Sequence, residues 1–107
     1  MSNTIYVMLS GKKINRQVLL ELLTTEDSIE VTFIKATTRG TRVMTCTLRE
    51  SNIPSNYTKA IGSIIDSPAQ DLLPVWDIEQ GEWRSFYITN IIYVRTAEDM
   101  KKSKKKD

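Results

Sequence analysis

Two tryptophans and an arginine fall close together in this chain: Trp76, Trp83 and Arg84. A flat aromatic ring beside a guanidinium suits stacking on a nucleotide base, or anchoring a partner protein. The segment around them, residues 74–91, reads as two short strands about a tight turn. Val75, Trp76 and Ile78 make the first strand, and Trp83, Phe86, Tyr87 and Ile88 belong to the second. Gly81 supplies the permissive backbone of the turn. Lys35, Arg39 and Arg42 come from a second hairpin. If the hairpins are neighbours, Arg42 and Arg84 share a face with Trp83 or Trp76 at its edge. Such a group suits phosphate contacts with base stacking. The competing reading is structural. Arginine stems cover sheet surfaces while the head stays in water, and Asp77 pairs with Arg84 across its hairpin. Of the two tryptophans, one is expected in the core and one partly exposed.

Little else in the chain points to chemistry. Histidine is absent, which removes the commonest general acid/base and metal ligand. There is neither a paired-carboxylate arrangement nor a glycine-rich phosphate loop. No catalytic residue, metal or cofactor is therefore expected, and the protein is not expected to be an enzyme. The single cysteine, Cys46, has no partner thiol. It alternates with Met44 and Leu48 on one side of a strand, as a buried core thiol would.

Charge is unevenly placed. The 107-residue chain carries +2, from 15 basic and 13 acidic residues. Lys101, Lys102, Lys104, Lys105 and Lys106 with Asp107 give the last seven residues +4, so the remainder carries −2. A lysine-rich tail is either a solvated segment or an electrostatic arm for a polyanion. No run approaches the ~20 apolar residues of a spanning helix, and no signal-peptide pattern opens the chain. A soluble cytoplasmic protein with no membrane contact is expected.

The elements that position these residues follow from periodicity. Residues 4–9 are an apolar strand candidate. Ile14, Val18, Leu19, Leu22 and Leu23 recur at helical spacing behind Asn15, a candidate N-cap, which predicts a helix over 15–24. Residues 29–35 and 41–48 alternate about the turn Thr37-Thr38-Arg39-Gly40 and predict a hairpin. The connection 49–72 is less regular, with Tyr57, Ile61, Ile64 and Ile65 allowing one or two helical turns. Ile91–Val94 reads as a last strand. The fold class is mainly β with one N-terminal helix (α+β), a small five-stranded barrel of SH3-like or Sm-like type. Residues 1–96 are expected to form one domain and 97–107 a flexible lysine-rich tail.

Several of these stretches resemble a family of small tailed-phage proteins with an Sm-like, SH3-type barrel related to the WYL domain. They are Val31–Lys35, Gly40–Leu48, Ile53-Pro54, Val75–Ile78 and Trp83-Arg84-Ser85-Phe86. In WYL domains a similar Trp-Arg-x-Phe strand precedes a short polar step and an isoleucine, here Thr89-Asn90-Ile91, with Asn90 where an arginine is usual. The resemblance implies a phage accessory protein acting in the host cytoplasm. WYL domains are associated with nucleic-acid or nucleotide-like ligands and with regulation. Two readings are open. One is a regulatory barrel that binds DNA or RNA through Lys35, Arg39, Arg42, Trp76, Trp83, Arg84 and the tail lysines. The other is an interaction module that occupies a host protein, such as RNA polymerase or a defence nuclease.

Overall fold

The computed structural model describes residues 15–67 and 71–96. The strand expected at 4–9 and the tail at 97–107 lie outside the described residues. The first helix, α1, spans Arg16–Thr25. Asn15 caps it, its side-chain oxygen accepting from the Val18 N–H at 2.8 Å, which satisfies one of the donors a helix start leaves open. The apolar stripe buries Leu19 and Leu23. At the other end the Leu23 carbonyl accepts the Leu48 N–H at 2.9 Å, and the Thr47 hydroxyl also donates to it. The helix is thus tied to the end of a strand.

Five strands follow: β1 (Ile29–Ile34), β2 (Thr41–Thr47), β3 (Leu72–Asp77), β4 (Glu82–Tyr87) and β5 (Ile91–Thr96). They form one antiparallel sheet in the order β4-β3-β2-β1-β5. Period-2 alternation decides which side chains enter the core. Ile29, Val31 and Phe33 face Cys46, Met44 and Arg42 across the β1–β2 ladder. Leu73 and Val75 face Phe86 and Arg84 across β3–β4. The apolar members of both rows are buried. The rings of Phe33 and Phe86 meet at 5.1 Å, bringing β1 and β4 together across the interior. A 3-10 turn, Ile88–Asn90, carries β4 into β5 on the far side of β1. Asn90 donates to the Ile34 carbonyl at 3.1 Å and Asp71 takes the Thr89 N–H and hydroxyl, which pins this corner. A sheet curled this way is a small barrel, in agreement with the expected fold class.

The β3–β4 turn uses Gly81 at φ +67°, the left-handed conformation that glycine adopts at no steric cost. The β1–β2 turn instead places Arg39 there, at φ +68°.

The connection is more ordered than its sequence predicts. It contains 3-10 turns at Glu50–Asn52 and Ser55–Tyr57 and a second helix, α2, at Ala60–Asp66. Ile53 and Ile61 from this segment pack with Trp76, and Trp83 closes the group. Arg16 donates to the Ile64 carbonyl at 3.1 Å, joining the start of α1 to the end of α2. No described helix is long and apolar enough to cross a membrane.

Candidate functional site

The β2 strand pairs with β3 only at Cys46 and Thr47. Its first half diverges, and a gap opens between β2 and the β3–β4 hairpin. Arg42 and Arg84 occupy core-facing positions on either side of this gap, since Arg42 lies opposite Phe33 and Arg84 opposite Val75. Between them sits Asp77, also core-facing because it pairs with Cys46, and only 1% exposed.

The Asp77 carboxylate is the hub. Its Oδ2 lies 3.5 Å from Arg42 Nη2 and 3.4 Å from Arg84 Nε. Its Oδ1 accepts the Gln80 N–H at 3.0 Å. Arg84 also donates from Nη2 to Glu82 at 2.8 Å. The Nε atoms of both arginines are shut off from solvent and have no hydrogen-bond partner. The contacts of the two arginines with Asp77 are long and ionic rather than well-formed hydrogen bonds.

These arginines border an open groove of about 310 Å3. Phe33 and Met44 give it an apolar floor. Lys35 adds a third cation, and Ala36 and Thr37 of the β1–β2 turn also line it. Lys35 makes no ion pair among the described residues. Three cations thus face two carboxylates, Asp77 and Glu82. An apolar floor beneath a guanidinium pair can hold an anion with a flat or apolar attachment.

The structure divides the residues singled out in the sequence. Lys35, Arg42 and Arg84 come together. Arg39 is exposed in the turn and does not line the groove. The tail lysines lie outside the described residues. The expectation that a tryptophan edges the arginine face is corrected. Trp76 and Trp83 pair across β3–β4 one residue out of phase with Arg84, so they occupy the opposite face. Trp76 is the core tryptophan, 4% exposed beneath Tyr57, and Trp83 is half-buried. The aromatic in the groove is Phe33, which the Trp/Arg reasoning passed over. Its place beside Arg42 follows from the hairpin register once the turn is fixed. The expected Asp77–Arg84 pair is present, with Arg42 joining it. Asn90 serves as a tie to β1 and takes no part in the groove.

Cys46 lies behind the site as a buried thiol. Burial pushes it far above its ordinary value of 9.0, and the Asp77 carboxylate adds to the shift. Such a thiol is inert in the native state. The unfolded chain releases this proton near pH 9 whereas the folded chain keeps it. Stability is therefore full below that pH and falls above it, by about 1.4 kcal/mol per pH unit for this one group. The stability difference between the parent and Cys46→Ala, from urea unfolding, is expected to shrink by about 1 kcal/mol between pH 9 and 10, where the unfolded thiol is only part-way through its titration. A constant difference would show that the thiol titrates freely.

Neither a curated protein nor a solved structure matches the chain significantly. A family profile does: the WYL_2 family, described as having an Sm-like SH3 β-barrel fold, matches residues 16–92, from the start of α1 into β5. The match takes in both hairpins, the connection that covers Trp76 and every groove residue, and on that extent the chain belongs to the WYL_2 family of Sm-like SH3 β-barrels.

Proposed function

We propose that this barrel is a non-catalytic module that binds nucleic acid, with backbone phosphate held by Arg42, Arg84 and Lys35 and a base or sugar over Phe33 and Met44. The observation that carries the reading is the pair of arginine donors converging on an open groove, with 30% and 35% of the two side chains exposed. Phosphate oxygens are the natural acceptors for such donors. The lysine tail supplies the long-range attraction to a polyanion that the −2 remainder of the chain lacks. The resemblance to small phage barrels adds the setting, an accessory regulator of gene expression in the host cytoplasm.

Fluorescence anisotropy with labelled DNA and RNA oligonucleotides tests this. Arg42→Gln and Arg84→Gln are each expected to weaken binding about tenfold, or ~1.4 kcal/mol. Each should also lower the slope of log affinity against log salt by about 0.7 on single strands or 0.9 on duplex. Full-length protein with no measurable binding at low salt ends this reading.

A second reading is favoured by a different surface. Leu72 and Tyr87 pair across the outer face of β3–β4, each 41% exposed. An exposed apolar pair suits a host protein partner. Capture of such a partner from lysate should survive nuclease treatment and be lost in Tyr87→Ala with Leu72→Ala, while both groove variants retain it.

A further inference from the structure

Two guanidinium groups on flexible stems repel each other, and nothing in their own strands obliges them to meet. They meet because one carboxylate oxygen lies within 3.5 Å of both. We infer that Asp77 is a positioning residue, setting the Arg42 and Arg84 heads side by side so that one anion engages both. This rests on the groove being the phosphate site proposed above.

Three observations separate positioning from simple neutralisation. First, the carboxylate is fixed independently of the arginines. Asp77 is 1% exposed, and its Oδ1 accepts the Gln80 N–H. Its carbonyl accepts the Gly81 N–H at 2.8 Å, within the turn that Gly81 permits at φ +67°. The anchor is part of the β3–β4 turn itself. Second, the arginines lean on it through single ionic contacts, 3.5 Å from Arg42 Nη2 and 3.4 Å from Arg84 Nε, both to the same carboxylate oxygen. A purely structural ion pair would use those donors in bidentate geometry. Third, both heads stay partly open, with 30% and 35% of the two side chains exposed against 2% for Asp77. The cations reach the groove while their counterion does not.

The two roles predict opposite signs for Asp77→Asn. The amide keeps the shape and still accepts the Gln80 N–H. If Asp77 merely neutralises the arginines, removing its charge makes the site more positive and an anion binds more tightly. If it positions them, they splay and binding weakens although the net positive charge has risen. The test measures binding of a short fluorescein-labelled oligothymidylate to full-length parent and variant across a salt series, below the melting point of both. The expected result is about tenfold weaker binding with a shallower salt slope, by about one phosphate contact. Equal or tighter binding by Asp77→Asn overturns the inference and leaves the groove as the binding site. Failure of the parent to bind sinks the groove reading itself. A stability defect alone would leave the slope unchanged, which also counts against positioning.

Should Asp77→Asn not fold, the arginines carry the test. Two heads set for one anion act as a unit, so Arg42→Gln with Arg84→Gln should lose little more than the worse single variant. Losses that multiply would mean two independent contacts and would overturn the inference.

Discussion

Trp76→Ala is expected to destabilise the fold by about 3–5 kcal/mol, the usual cost of truncating a buried aromatic. The ring is 4% exposed and sits between three elements. It meets Tyr57 at 5.1 Å, and the Trp83 ring stands edge-on to it at 5.4 Å and 83°. Ile53 and Ile61 close the remaining sides. These residues come from the connection, whose elements are each too short to persist alone. Trp76 is therefore one of the contacts that hold residues 49–66 in place, alongside Ile64 in the main core and the hydrogen bonds Arg16–Ile64 and Asn52–Asp27. Its removal leaves a cavity and loosens the cover at the same time. Urea unfolding should show a lower midpoint, with a lower m-value if the cover detaches in the native state. Trp83→Ala, from a half-buried site, should cost roughly half as much. Oligonucleotide binding by folded Trp76→Ala should persist, because the groove lies on the opposite face of the hairpin. An unchanged midpoint would show that the connection is held by something other than this ring.

The same tryptophans show how much of the molecule was legible in the sequence. Both hairpins could be read, because Ile29–Phe33 alternates, Thr41–Thr47 is rich in β-branched residues and Gly81 marks its turn. Helix α1 could be read from Asn15 and the leucine spacing. The start of β3 could not. Leu72-Leu73-Pro74 does not alternate, and Pro74 argues against a strand, yet Leu73 is fully buried opposite Phe86. The connection was legible only in part. The spacing of Ile61, Ile64 and Ile65 marks α2, whereas the three-residue 3-10 turns before it leave no periodic trace. At the site, the arginines were found by composition and the tryptophans misplaced by it. Trp83 and Arg84 are adjacent in one strand, and adjacent residues point to opposite faces. That rule was available from sequence and outweighs nearness along the chain. Asp77 as the shared partner of Arg42 and Arg84 needed the β2–β3 register. Two pairs of residues, Cys46 with Asp77 and Thr47 with Trp76, set that register, and no local pattern encodes it.

The largest expected effect on binding belongs to the tail rather than the groove. Deleting residues 101–107 removes a net +4 and leaves −2. If all five lysines touch duplex phosphates, the salt slope falls by about 4.5 on deletion, at 0.9 per contact. A slope of that size corresponds to roughly 500-fold in affinity between ~50 and ~200 mM salt, and that dependence should vanish with the tail. What remains is the groove, recognised by its response to Arg42→Gln and Arg84→Gln in the truncated protein. The two contributions separate on physical grounds. Five lysine charges act at long range and are screened by salt, whereas a pair of half-buried guanidiniums acts at contact and is screened less. Near-complete loss of binding on truncation, with no residual effect of the arginine variants, would make the tail the whole nucleic-acid site and the groove a structural ion cluster. Truncation that leaves nucleic-acid binding untouched would reject the arm. Under the host-protein reading, truncation should leave partner capture unchanged, because Leu72 and Tyr87 present an apolar surface that owes nothing to charge.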